Sequence, residues 1–134
     1  MNIVVIDGQG GNMGSRLVKG VLDRYADADI TAIGTNSIAT AAMIKAGAHQ
    51  GATGENAVRV ACRNADYIIG PVGIVIADAL LGEITPEMAV AIGQSPATRI
   101  LIPINRCETL IAGVSAESAA ALIEDAVNKI NYNK

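Results

Sequence analysis

Residues 1–22 read MNIVVIDGQGGNMGSRLVKGVL, and the order of residue types in this stretch decides the fold. Ile3 to Ile6 is an unbroken apolar run with β-branched residues, the pattern of a buried strand. Gly8, Gly10, Gly11 and Gly14 follow at once. Helical spacing then begins, with Met13, Leu17, Val21 and Leu22 on one face. A strand, a glycine loop and a helix in that order turn the helix N-terminus into an anion site. Its free N–H groups and the positive end of its dipole point at whatever lies over the loop. Glycines leave no side chain to hold a phosphate away from the main chain.

The spacing refines this. The pattern G-x-G-x-x-G fails from Gly8, because Met13 stands where its last glycine belongs. A shifted register, Gly8-x-x-Gly11-x-x-Gly14, fits. In it Gly8 makes the turn, Gly11 admits the phosphate and Gly14 lets the helix lie close on the strand. A P-loop is excluded, since no Gly-Lys-Ser/Thr follows. The competing reading is a glycine-rich turn that only packs.

The stretch DGQGGNMGSRL, from Asp7 to Leu17, resembles the GxGGxMGxxL opening of dihydrodipicolinate reductase and, more loosely, that of prephenate dehydrogenase. Both are nicotinamide-dinucleotide enzymes, so this resemblance implies NAD or NADP on the loop. GQGGN also resembles the first nucleotide loop of tubulin, whose second loop has no counterpart here. As a whole the chain resembles a small bacterial family of unknown function that opens with DGQGG.

Composition sets the outer bounds. A chain of 134 residues, 51% hydrophobic and 17% charged, makes one domain with a sizeable core. That core is aliphatic, because Phe and Trp are absent. A net charge of −3 with scattered Lys and Arg argues against nucleic acid. No apolar run reaches membrane-spanning length, and the apolar start lacks the basic flank of a signal peptide. Cys62 and Cys107 have neither metal-like nor disulfide-framework spacing, so a cytoplasmic protein without a metal is expected. The positive mean hydropathy of +0.37 leaves apolar surface for a partner, and a second copy making a homodimer is the expectation.

Strands are expected at Asn2 to Asp7, Ile30 to Gly34, Ala48 to Gly51 (short, at an edge), Asp66 to Pro71, Arg99 to Ile104 and Leu110 to Val114. The last two are too close for a parallel crossover, so an antiparallel edge strand or one bent edge is predicted. Helices are expected at Asn12 to Tyr25, Ile38 to Ala46, after Thr53 as N-cap to Asn64, Ile74 to Leu81, Thr85 to Gln94, and Ala116 to Ile130 after Ser115. The two apolar helices at Ile74–Leu81 and after Thr85 are either a dimer face or buried against the sheet, with Asp78 and Glu83 at their surface or an interface.

Alternating strands and helices make an α/β domain: a Rossmann-like, doubly wound three-layer sandwich with a mostly parallel sheet. Right-handed crossovers gather the C-terminal ends of the strands at one edge. In the order 3-2-1-4-5 strands 1 and 4 flank the switch point where ligands bind in such sheets. The expected cofactor-binding set is Asp7, Gly8, Gln9, Gly10, Gly11, Asn12, Met13 and Gly14, then Thr35, Asn36 and Ser37, then Gly70, Pro71 and Val72. Arg16 and Lys19 lie where they could reach a bound anion.

An acid at the end of strand 2 would hold the ribose 2′-hydroxyl of NAD. Thr35, Asn36 and Ser37 stand there instead, neutral donors better suited to a 2′-phosphate, with no Arg adjacent. Asp7 could take a ribose hydroxyl, hold Mg²⁺ through water, or bond the loop amides. Three functions are weighed. The first is binding of NAD(P) or another phosphate-containing nucleotide. The second is a small single-domain enzyme using Asp7, His49 or Cys107. The third is an oligomeric structural or regulatory protein without a cofactor.

Overall fold

The computed structural model describes residues 1–104, 108–115 and 117–131. Five strands form one parallel sheet: β1 (Asn2–Asp7), β2 (Asp29–Gly34), β3 (Gln50–Thr53), β4 (Tyr67–Pro71) and β5 (Thr98–Ile102). Their order across the sheet is β3-β2-β1-β4-β5, the order read from the sequence. Helices α1 (Asn12–Arg24), α2 (Ser37–Lys45), α3 (Glu55–Ala61), α4 (Pro86–Gln94) and α5 (Ala119–Asn128) connect or follow them. Asp7 pairs with Gly34 and Pro71 with Ile102, so these residues end their strands at the same edge.

The two-residue period of the strands divides the core between the faces. Ile3 and Val5 of β1 join Ile30, Ala32 and Ile69 under α1, α2 and α5. Val4 and Ile6 join Ile33 and Ile68 under α3 and α4. Leu17, Val18 and Val21 are fully buried along α1. Removing one such side chain to Ala costs about 2–5 kcal/mol. No described helix is long and apolar enough to cross a membrane.

Four expectations are corrected. The sheet carries no antiparallel strand among the described residues. Leu110 to Val114 instead runs through a turn, with Glu108 and Gly113 left-handed and Leu110 91% exposed. The helix expected over Ile74 to Leu81 is a 3₁₀ turn, Val72–Val75, followed by a compact strap to Thr85. Asp78, Leu80, Leu81 and Gly82 all have positive φ there, which no α-helix tolerates. A short apolar run carries too little period to separate helix from turn. Gly54, not Thr53, precedes α3: Thr53 ends β3 and its hydroxyl pairs with that of Thr40 at 2.7 Å. Ser118, not Ser115, caps α5, accepting from the Ala121 amide, while Ser115 donates to Glu117.

The apolar residues of the strap and α4 pack largely against the sheet. Ile74, Leu80, Ile84, Met88 and Ile92 are buried, leaving Leu81 and Val90 outside.

Gly70 shows how tightly β4 lies on β1. A Cβ there would sit 2.3 Å from the carbonyl oxygen of Ile6, main chain that cannot step aside. Gly70→Ala should lower stability by about 1–3 kcal/mol, read as a lower urea midpoint. An unchanged midpoint would contradict this packing.

Candidate functional site

The loop after β1 is shaped by a carboxylate below and a glycine at each turn. The Asp7 side chain is buried, and its two oxygens accept from the Gly8 amide at 2.8 Å and the Gly14 amide at 2.7 Å. Of the roles considered for Asp7, the structure shows the bond to loop amides. Burial pushes its carboxyl above the ordinary 3.8, against the lowering effect of those two bonds, with Glu83 adding a further upward push. The Gly11 amide bonds back to the Gly8 carbonyl, closing the turn, and Gly11 is left-handed at φ 74°. Its Cβ position is 2.8 Å from the Ala39 backbone, so this glycine faces α2. Gly14 lets α1 approach β1: a Cβ there would meet Met43 Sδ at 2.5 Å and Asp7 Cβ at 2.8 Å. Gly10 alone in this loop has open space where a side chain would go.

Helix α1 begins at Asn12, and Gly11 has no side chain to cap it. The first amides of a helix have no intrahelical acceptor. Gly14 gives its N–H to Asp7. The N–H groups of Gly10, Asn12 and Met13 have no acceptor among the described residues. They border a pocket of about 160 Å³ lined by the loop, Arg16, Pro71, Leu80, Ile104 and Ala119. Arg16 brings a cation to it that no described carboxylate pairs. Ligand pockets for whole small molecules run to roughly 300–1,000 Å³, so this one fits a phosphate-sized group and leaves the rest of a ligand on the rim. Larger grooves along α1 and α5 and along β5 and α5 lie on the helix flank and the sheet edge; Lys19 lines the first.

At the tip of β2 the structure adds a residue that the sequence placed at a helix surface or an interface and not in the site. Glu83, carried by the strap, reaches the end of β2. Its Oε1 accepts from the Thr35 hydroxyl at 2.6 Å, Asn36 Nδ2 at 2.7 Å and the Gln9 amide at 2.9 Å. Burial pushes this carboxyl up, but the bonds from Thr35, Gln9 and Asn36 outweigh it and hold it below the ordinary 4.5. Asn36 also donates to the Gln9 carbonyl, and its Oδ1 caps α2 through the Ala39 amide at 2.9 Å. The visible signal was an acid following Gly82 inside an apolar run.

The other expected residues fall as follows. Ser37 opens α2 beside Asn36, and Val72 opens the 3₁₀ turn after Pro71. His49 lies apart: its Nδ1 accepts from the Ile30 amide at 3.1 Å, near the opposite edge of the sheet from Asp7. Counted along β2, that is roughly 13 Å from the strand tips. Cys107 lies outside the described residues. Cys62 is a buried core thiol, pushed up to about 11 by burial. Among the described residues no group of three His, Cys, Asp or Glu is placed to hold a metal ion.

The chain belongs to a family described as a domain of unknown function (DUF3842), whose model matches residues 2–134. No curated protein matches it in sequence. Among solved structures it is similar to a nucleoside-diphosphate-sugar epimerase from Pseudomonas aeruginosa, at 16% identity and a TM-score of 0.48. That match covers 97% of this chain and 46% of the epimerase, so the chain spans about half of it. It is also similar to a dodecameric FMN-dependent UbiX-like decarboxylase from Escherichia coli O157:H7, at 13% identity and a TM-score of 0.42, covering 97% of this chain and 92% of that one.

The Asp7 geometry predicts a specific pH signature. With a folded value raised above 3.8, the stability linked to this group is complete below pH 3.8 and is lost as pH rises through the folded value. Asp7→Asn turns an NH₂ toward one of the two amides and should cost about 1–3 kcal/mol. The gap between native and Asp7→Asn unfolding free energies should be widest at low pH and narrow on raising it. Denaturant titrations over roughly pH 3–7 check this. A gap that widens with pH would contradict it.

Proposed function

We propose that this member of the DUF3842 family binds a phosphate-bearing ligand of the nucleotide class at the loop between β1 and α1. The observation that carries the reading is the set of N–H groups at Gly10, Asn12 and Met13, without acceptors among the described residues, on residues that line a phosphate-sized pocket together with Arg16. Unsatisfied helix amides attract an anion directly and through the helix dipole. A guanidinium adds charge-assisted bonds to phosphate oxygens. The pocket lies at the tips of β1 and β4, where strand order reverses and crossovers leave a crevice. NAD or NADP is the nucleotide that the Asp7–Leu17 resemblance favours.

Asp7 serves this site by positioning. It fixes the Gly8 and Gly14 amides, and so the angle at which the loop meets α1. Its own buried carboxylate is already engaged by main chain, which argues for binding over acid–base chemistry at that residue.

A ligand at a hundred times its Kd stabilises the native state by about 2.7 kcal/mol, enough to raise the Tm of a domain this size by about 10 °C. Thermal unfolding with NAD(H), NADP(H), ATP, GTP, FAD and FMN should find such a shift. Gly10→Glu, placed where a side chain has room, should keep the native Tm and abolish the shift. No shift with any nucleotide, or an undiminished shift in Gly10→Glu, would refute the proposal.

A further inference from the structure

Glu83 carries more than the strap's attachment. One carboxylate oxygen is saturated by three donors, Gln9 N–H, Thr35 Oγ and Asn36 Nδ2, so the group is held in one orientation. The other, Oε2, has no donor among the described residues, and no described side-chain oxygen is both buried and unpartnered, so Oε2 opens to solvent. The backbone that brings it there is held against its own preference, with Asp78, Leu80 and Leu81 left-handed.

From this juxtaposition we infer that Glu83 selects a nucleotide whose ribose hydroxyls are free, and excludes one carrying a 2′-phosphate. The inference rests on the phosphate-binding reading of the neighbouring loop. A fixed, charged acceptor favours a ligand's O–H donors and repels a second phosphate. Gln9 belongs to the loop that borders the phosphate pocket and donates to Glu83, so acceptor and anion site share one segment. The sequence alone leaves the two open, because Thr35, Asn36 and Ser37 are neutral and no Arg is adjacent. In the folded chain the acid arrives from 46 to 48 residues further on, and two of those three residues hold it.

The test measures affinities of the whole chain for inorganic pyrophosphate, NAD⁺ and NADP⁺ by calorimetry. Three proteins are compared: native, Glu83→Gln and Gly10→Glu. Glu83→Gln keeps an Oε1 acceptor for the three donors and removes the charge. Native protein should bind NAD⁺ about tenfold or more tighter than NADP⁺, and Glu83→Gln should erase most of that ratio. Gly10→Glu should lose all three ligands. Equal affinity for both dinucleotides in the native chain, or a ratio unmoved in Glu83→Gln, overturns the role of Glu83. If pyrophosphate still binds in that case, the loop reading stands. No binding of any of the three overturns both.

Discussion

The two hydrogen bonds to the Asp7 carboxylate hold the site together. They join the last residue of β1 to the amide that follows it and to the third residue of α1. The strand, turn and helix are thereby fixed as one unit before any ligand is considered. A buried carboxylate is costly in itself, and its raised ionisation value records that cost. Main-chain donors offset it without a cation, which leaves Arg16 unspent at the pocket mouth. Because Asp7 takes the Gly14 amide, only the amides nearer the loop remain open.

The glycines then divide the labour by position. Gly14 lets α1 lie on β1, Gly11 fits against α2, and Gly8 lies beneath Thr35, Leu80 and Glu83. Each would collide with a neighbour if it carried a side chain, so three of the four serve packing. Gly10 is the exception, with free space above it. Packing therefore accounts for three of these glycines, and the proposed binding falls to the fourth.

Much of this was legible in the chain because it is local or periodic. The strand–loop–helix order of residues 1–22, the β3-β2-β1-β4-β5 order and the tight approach of Gly14 all follow from short-range patterns and crossover handedness. Long-range contacts were not legible. Glu83 reads as an acid at a helix surface or an interface; its partners Gln9, Thr35 and Asn36 are 47 to 74 residues away. The segment that carries it, residues 76–85, leaves helical geometry at Asp78, Leu80, Leu81 and Gly82, which no local propensity of Ile, Ala and Leu announces. The expected sixth strand is interrupted locally, with Gly113 left-handed inside Leu110 to Val114.

The central claim is that the open main-chain amides at the start of α1 receive a phosphate. Titrating ¹⁵N-labelled protein with pyrophosphate and following each amide by NMR tests it most directly. The account predicts that Gly10, Asn12 and Met13 move together and saturably, while Gly8 and Gly14, already bonded to Asp7, move least within the loop. Resonances of the loop that stay fixed at saturating pyrophosphate, or changes confined to the α1–α5 groove, would contradict it.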